Sequence, residues 1–126
     1  MSRTVFALIA WAAASVAIAA TSPALVKADY AVFKDGLNIA TVEETYEKNG
    51  EQYRIESDSN PAGVLAMFVR TKVKVKSSGT ITPAGLQPEK LEYGRLDDAS
   101  KNVGAVFDWR AQQLHLNYDG RNETLP

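Results

Sequence analysis

Alternation of apolar and polar residues is the dominant pattern of the chain beyond its first two dozen residues. Lysine and valine alternate strictly in residues 72–76, and Leu114, Leu116 and Tyr118 recur at every second position of residues 114–118. A period of two is that of a β-strand with one face buried and the other in water. The sequence predicts about eight short strands, at residues 29–34, 37–47, 52–57, 72–76, 80–82, 90–96, 103–109 and 114–118.

Turn signals between these segments predict how the strands pair. Asp35-Gly36 and Asn49-Gly50 are signals of two-residue hairpins, because both positions tolerate a positive φ. We expect Ser78-Gly79 to end a strand, residues 83–88 to form a loop, and Asp119-Gly120 to form a further turn. Consecutive hairpins produce an antiparallel sheet, which must pack on something or curl upon itself. The predicted fold class is mostly β: a curved antiparallel sheet or open half-barrel with one short helix.

The short helix is assigned to residues 64–68, an apolar block that follows a break at residues 60–63. The block is too rich in Ala, Leu and Met for a typical strand, so we expect one or two helical turns that pack on, or plug, the sheet. It serves either as core or as the lining of an apolar cavity, for which Met and Phe are suited. Trp109 likewise is either a core residue at a strand end or a surface on which a ligand stacks. The candidate ligand-binding residues are Val64, Leu65, Met67, Phe68 and Trp109.

Residues 1–24 have the pattern of a secretory signal peptide. Arg3 supplies the positive charge, an apolar run follows, and small residues offer cleavage after Ala19 or after Ala24. The run falls short of the roughly 20 apolar residues that span a bilayer, which makes a retained anchor the less favoured alternative. We therefore expect a periplasmic protein with no integral membrane segment after cleavage, whose residues 25–126 form a single β-rich domain.

Composition narrows the classes of function further. The formal net charge is −1, with 14 basic and 15 acidic residues, which provides no basic surface for nucleic acid. The chain has no cysteine, which excludes disulfides, thiol catalysis, thiolate zinc sites and a lipoprotein anchor. We expect neither a cofactor nor a metal ion.

Candidates for catalysis are few. His115 is the only histidine, and its position between two leucines places it on the opposite, solvent side of its strand. Glu43 and Glu44 are adjacent, so on a strand they point to opposite faces and cannot hold one ion together. Asp97-Asp98 is typical of a turn. We expect Asp108 to cap the turn that follows it, and we expect no enzymatic activity.

A row of Lys72, Lys74 and Lys76 favours a solvated face, or an edge strand guarded against aggregation. Binding of an anionic headgroup or polymer is the less favoured interpretation of this row.

Several short motifs occur in an order and spacing that resembles a known family. They are Tyr30 before the Gly36 turn, Gly50 with residues 53–57, residues 63–68, Ser78-Gly79, residues 85–88, residues 107–109 and residues 118–120 leading to Leu125-Pro126. On these residues the chain resembles the bacterial periplasmic domain-of-unknown-function family 3108. The resemblance implies an exported, curved antiparallel sheet related to the open barrels that carry lipids in the bacterial envelope. It implies no catalytic residue, and it implies that residues 25–126 are the N-terminal half of the family's fold.

Three functions remain as expectations. The leading one is a non-catalytic periplasmic module that binds an apolar or lipid-like ligand. The alternative is a structural or interaction protein of the envelope that pairs its exposed sheet edge with a partner strand or with a second copy. A hydrolase acting in the envelope is the least favoured.

Overall fold

A single antiparallel sheet contains nearly all of the regular structure in the computed structural model, which describes residues 22–126. Its eight strands are β1 (Leu25–Lys34), β2 (Leu37–Asn49), β3 (Gln52–Pro61), β4 (Val73–Thr82), β5 (Gly85–Arg95), β6 (Val103–Asp108), β7 (Gln113–Tyr118) and β8 (Arg121–Leu125). Their order in the sheet is their order along the chain, so β1 and β8 are the two edges and the sheet is open. The predicted mostly-β antiparallel fold is confirmed. Most of the predicted signal peptide lies outside the described residues.

Helical structure in the described part of the chain is limited to two 3-10 turns, Gly63–Met67 and Ala99–Lys101. The first corresponds to the short helix predicted over residues 64–68. No helix within residues 22–126 is long and apolar enough to cross a membrane.

The hairpin signals are confirmed, with one shift of a single residue. Asp35 and Gly36 have φ values of 51° and 78°, and they join β1 to β2. Positive φ at both central residues matches the right-handed twist of the flanking strands. In the second hairpin the central residues are Gly50 and Glu51, because Asn49 pairs with Gln52 and still belongs to β2.

Two predictions about β4 and β5 are wrong. Ser78-Gly79 does not end a strand, because β4 continues to Thr82, and residues 83–88 are not a loop, because β5 begins at Gly85. A bulge explains both errors: Ser78 pairs with Lys90, whereas Gly79 pairs with Pro88. The extra residue changes the register without ending the ladder, and Pro88, which has no N–H to donate, stands at this irregularity.

The last strand, β8, is absent from the predicted set. Asp119-Gly120 forms the predicted turn, and β8 then pairs along β7 from Arg121 to Leu125. The strand total nevertheless agrees with the prediction. The two strands predicted at residues 72–76 and 80–82 are one strand, which offsets the addition of β8.

Cross-strand register gives the sheet two chemically different faces. Val42 of β2 pairs with Tyr30 of β1 and with Ser59 of β3, so these three side chains lie on one face of the sheet. The register of the other strand pairs extends this face to β8. The apolar face carries Val26, Ala28, Tyr30, Val42, Tyr46, Tyr53, Ile55, Val73, Val75, Leu91, Tyr93, Val103, Ala105, Phe107, Leu114, Leu116 and Tyr118. The polar face carries Lys27, Asp29, Glu43, Glu47, Arg54, Glu56, Asp58, Lys74, Lys76, Lys90, Glu92, Val106, His115 and Asn117.

Few side chains of the apolar face are buried. Within residues 22–126 only Val42, Tyr53 and Ala105 are buried hydrophobic residues, at 8%, 5% and 4% exposure. The two 3-10 turns lie at strand ends, so no second layer of the described chain covers the centre of this face. The sheet therefore leaves a broad apolar surface in contact with solvent.

Candidate functional site

The apolar face is the principal candidate site, and its centre and its margins differ in chemistry. Aliphatic side chains such as Ile55, Val75 and Leu91 stand in neighbouring strands at its centre. At the edges, tyrosine hydroxyls donate hydrogen bonds to carboxylates: Tyr30 to Glu44 at 3.1 Å and Tyr118 to Glu123 at 2.8 Å. An aliphatic centre with polar groups at its margins fits an amphipathic molecule better than a purely aliphatic one.

The carboxylates at the margins also shift the pKa values of these two tyrosines. The hydrogen bond to Glu44 raises the pKa of Tyr30, and that to Glu123 raises the pKa of Tyr118, because each bond favours the protonated hydroxyl. Both hydroxyls are protonated at neutral pH, as is an ordinary tyrosine with a pKa of about 10. In the interior of the face, the hydroxyls of Tyr53 and Ser77 lie 3.3 Å apart and satisfy each other.

A cleft at Trp109 opens at one end of the apolar face. It has a volume of about 290 Å³ and is lined by Phe107, Trp109, Leu114 and Pro126 together with residues of the β6–β7 turn. The rings of Phe107 and Trp109 are stacked with centroids 6.2 Å apart, and the indole nitrogen donates to the carbonyl of Pro88 at 2.6 Å. Trp109 is half exposed, and its ring is held by the stack on Phe107 and by the hydrogen bond to Pro88. The ring is therefore available for stacking on a ligand without reorganisation.

The other candidate residues lie at the opposite end of the strands. Val64, Met67 and Phe68 are exposed at 62%, 76% and 79%, and no residue of the 3-10 turn is buried. The interpretation of this block as core is therefore wrong. The chain reaches the turn through Ala62, whose N–H donates to the carbonyl of Ile39 at 3.0 Å.

One residue of this block lines a cavity that reaches the polar face. Ala66 and Val69 line a cavity of about 570 Å³ together with Thr41 and Asn60, which belong to the polar face. The structure thus places Trp109 at one end of the apolar face and Val64, Leu65, Met67 and Phe68 at the opposite end of the strands. The predicted site residues form two clusters and not one pocket.

Two members of the lysine row, Lys74 and Lys76, form ion pairs with acidic residues of β3. Lys74 contacts Asp58 at 3.2 Å and Glu56 at 3.9 Å, and Lys76 contacts Glu56 at 3.9 Å. Lys74 and Lys76 belong to β4, and Lys72 directly precedes it; β4 lies inside the sheet, so the interpretation of the row as a guarded edge strand is wrong. Its placement on a solvated polar face is confirmed.

The candidates for catalysis remain dispersed. His115 is exposed on the polar face, where its Nδ1 lies 3.0 Å from the Thr124 hydroxyl. Asp108 accepts hydrogen bonds from the N–H groups of Arg110 and Ala111, at 3.1 and 2.9 Å, which confirms its predicted capping role. Among residues 22–126 there is no group of three or more His, Asp or Glu that could hold a metal ion.

Asp97 has a role that its interpretation as turn chemistry missed. It accepts hydrogen bonds from Thr71 at 2.7 Å and from Arg95 at 3.1 Å, which links the start of β4 to the end of β5. The Thr71 hydrogen bond and then the Arg95 guanidinium lower the pKa of Asp97. Its neighbour Asp98 accepts from the Ser100 N–H and begins the second 3-10 turn, as the turn signal predicted.

These features define a class: a single-layer, open antiparallel sheet with one charged face and one uncovered apolar face. The chain belongs to the family described as "Protein of unknown function (DUF3108)", whose model matches residues 26–126. This match confirms the resemblance found in the sequence. Neither the curated proteins nor the solved structures include a match to this chain.

Proposed function

We propose that the chain is a non-catalytic periplasmic module that binds an apolar, lipid-like ligand on the apolar face of its sheet. The observation that carries the proposal is the near absence of buried side chains on a face in which aliphatic and aromatic residues predominate over polar ones such as Ser57 and Ser77. Contiguous exposed apolar surface on a folded domain is characteristic of a binding site. Each Å² removed from water by a ligand contributes about 25 cal/mol, so a single acyl chain gains several kcal/mol.

The chemistry of the face favours an amphipathic ligand with an acyl chain. The aliphatic centre accommodates the chain, and the Trp109 cleft gives it a place to end against stacked rings. The tyrosine hydroxyls, each donating to a carboxylate, supply polar groups at the two opposite margins of the face, either of which can border a polar head. The ligand then replaces water on a surface that the described chain leaves uncovered.

The test compares one substitution on the two faces of a single strand. Val103 and Val106 both belong to β6 and are exposed at 36% and 47%, but Val103 lies on the apolar face and Val106 on the polar face. The probe is a long-chain fatty acid that carries a fluorophore, titrated into each variant. We expect Val103→Asp to weaken binding at least about tenfold, because a carboxylate desolvated by an acyl chain costs more than 1.4 kcal/mol.

The matched control is Val106→Asp, which we expect to bind the probe as the unsubstituted protein does. Equal losses in both variants, with circular dichroism unchanged, contradict a site on the apolar face. Absence of probe binding to the unsubstituted protein contradicts the proposed function itself.

Export to the periplasm belongs to the same proposal. The carbonyl of Ala24 accepts a hydrogen bond from the Lys48 N–H at 2.7 Å, and the Lys48 ammonium donates to Ser22 at 2.9 Å. Cleavage after Ala19 keeps both bonds, whereas cleavage after Ala24 removes them, so we favour the first site. The intact mass of the protein from a periplasmic extract tests this: a chain beginning at Ala20 is expected, and a chain beginning at Leu25 would contradict the favoured site. Absence of the protein from the periplasmic extract, with the uncleaved chain in the rest of the cell, would contradict export.

A further inference from the structure

The edge strand β1 is long and open. All ten of its residues are exposed, and Leu25, Val26, Tyr30 and Phe33 are among the exposed large hydrophobic side chains. It contains no proline, and its only irregularity is a shift in pairing between Val32 and Phe33. Such an edge is a template for pairing with another strand.

The peptide groups that face outward can be identified from one hydrogen bond. Because the Ala24 carbonyl accepts from Lys48 of β2, the peptide groups of Ala24 and of every second residue after it point toward β2. The intervening residues point theirs to the open edge. These outward residues are Leu25, Lys27, Asp29 and Ala31.

Symmetry and charge together select one register for a second copy. In an antiparallel pair, outward residues must stand opposite outward residues, so a two-fold axis must pass through a residue and not between two. An axis at Lys27 or at Asp29 sets like charges against each other. An axis at Ala28, unlike one at any other residue of the strand, sets Lys27 opposite Asp29 on both sides, and it sets Leu25 opposite Ala31.

We infer that the protein forms a homodimer in which two β1 strands pair antiparallel about a two-fold axis at Ala28. Each of the four outward pairs exchanges two backbone hydrogen bonds. On the polar face two Lys27–Asp29 pairs flank the axis, and on the apolar face Val26 contacts Tyr30 of the second copy. The two apolar faces then lie on the same side of one continuous sheet. The dimer does not depend on ligand binding.

The test uses the absence of cysteine from the chain, which makes any disulfide intermolecular. In the proposed register the two Ala28 side chains form a non-hydrogen-bonded pair, whose Cβ atoms lie about 5 Å apart, close enough to cross-link after small adjustment. Ala28→Cys, purified from a periplasmic extract and mildly oxidised, is expected to give a covalent dimer as its main product. Ala31→Cys is the matched control on the same strand, because the two Ala31 residues are separated by about 20 Å along the strand direction.

Charge reversal provides a second measurement that does not depend on oxidation. Lys27→Glu is expected to weaken the dimer about tenfold in sedimentation velocity, since it places two like-charged pairs beside the axis. Lys27→Glu combined with Asp29→Lys restores opposite charges and is expected to restore the dimer. A monomeric unsubstituted protein at all concentrations, or equal cross-linking of Ala28→Cys and Ala31→Cys, would overturn the inference.

Discussion

At Gly79 the absence of a side chain decides whether two strands can meet. A Cβ placed on Gly79 would overlap the carbonyl of Gln87 and would lie 2.9 Å from the backbone nitrogen of Glu89. Both are main-chain atoms of the β4–β5 bulge, which cannot move aside as the end of a flexible side chain can. The bulge therefore depends on glycine because of close approach, and not because of an unusual φ.

We expect Gly79→Ala to lower the free energy of unfolding by about 1–3 kcal/mol, the range for overpacking a closely packed site. Urea denaturation followed by circular dichroism measures the change. Gly104→Ala is the matched control, since a Cβ there would meet only the Asn117 Cβ at 4.0 Å. An equal effect of the two substitutions would show that close approach at the bulge is not the cause.

Asp97 makes stability depend on pH in a defined direction. Its pKa is lowered in the folded protein by Thr71 and by Arg95, so the unfolded chain binds its proton more readily. The resulting stabilisation is complete above the ordinary carboxylate pKa of about 3.9. It is lost as the pH falls from there through the lowered value.

We expect Asp97→Asn to melt at a lower temperature than the unsubstituted protein at pH 7. The difference should shrink as the pH falls from the ordinary carboxylate pKa through the lowered value, because Asp97 is protonated below the lowered value and both proteins are then uncharged at this position. Thermal melts across pH measure it. A difference that stays constant with pH would exclude the charge of Asp97 as its origin.

At the scale of elements, the 3-10 turn Gly63–Met67 contributes little to stability. Its apolar neighbour Phe68 is 79% exposed, whereas Val42 in β2 is 8% exposed. We expect Phe68→Ser to change the free energy of unfolding by less than about 0.5 kcal/mol. Val42→Ala removes two buried carbon groups and should cost about 1.5 kcal/mol. A loss of more than about 0.5 kcal/mol from Phe68→Ser in urea denaturation would mean that the turn supports the fold.

Local signals predicted most of the elements, and the errors arose where pairing between strands, and not the local sequence, determines the structure. Alternation located β4 and β7, and Asp35-Gly36 located the first hairpin. Ser78-Gly79 was predicted to end a strand. It is part of a bulge that forms only in the pairing with β5, and the local sequence around Gly79 contains no information on that pairing. The strand β8 was missed because Arg121, Asn122 and Glu123 are polar, and only pairing with β7 makes them a strand.

The candidate site could be predicted only in part for a related reason. Alternation indicates that a strand has an apolar side, but the register of seven strand pairs decides which sides coincide. Trp109 was identified because an aromatic residue at a strand end is visible locally. The block at residues 64–68 is apolar in sequence, yet it follows β3 and therefore lies at the end of the strands opposite to Trp109.

For the whole molecule, the uncovered apolar face is the property that most needs an explanation. A sheet with three buried hydrophobic residues in its described part has little core of its own. Burying the apolar face against a bound ligand would supply apolar contact that the described chain does not provide. Ligand binding and stability should therefore be coupled.

The most direct test of the account is native mass spectrometry of the protein purified from a periplasmic extract without detergent. We expect species heavier than the polypeptide by the mass of a lipid or fatty acid, and we expect this added mass to disappear on denaturation. Val103→Asp should carry less of it than Val106→Asp. Polypeptide mass alone, with no added mass on either monomer or dimer, would contradict the claim that the apolar face is a ligand site.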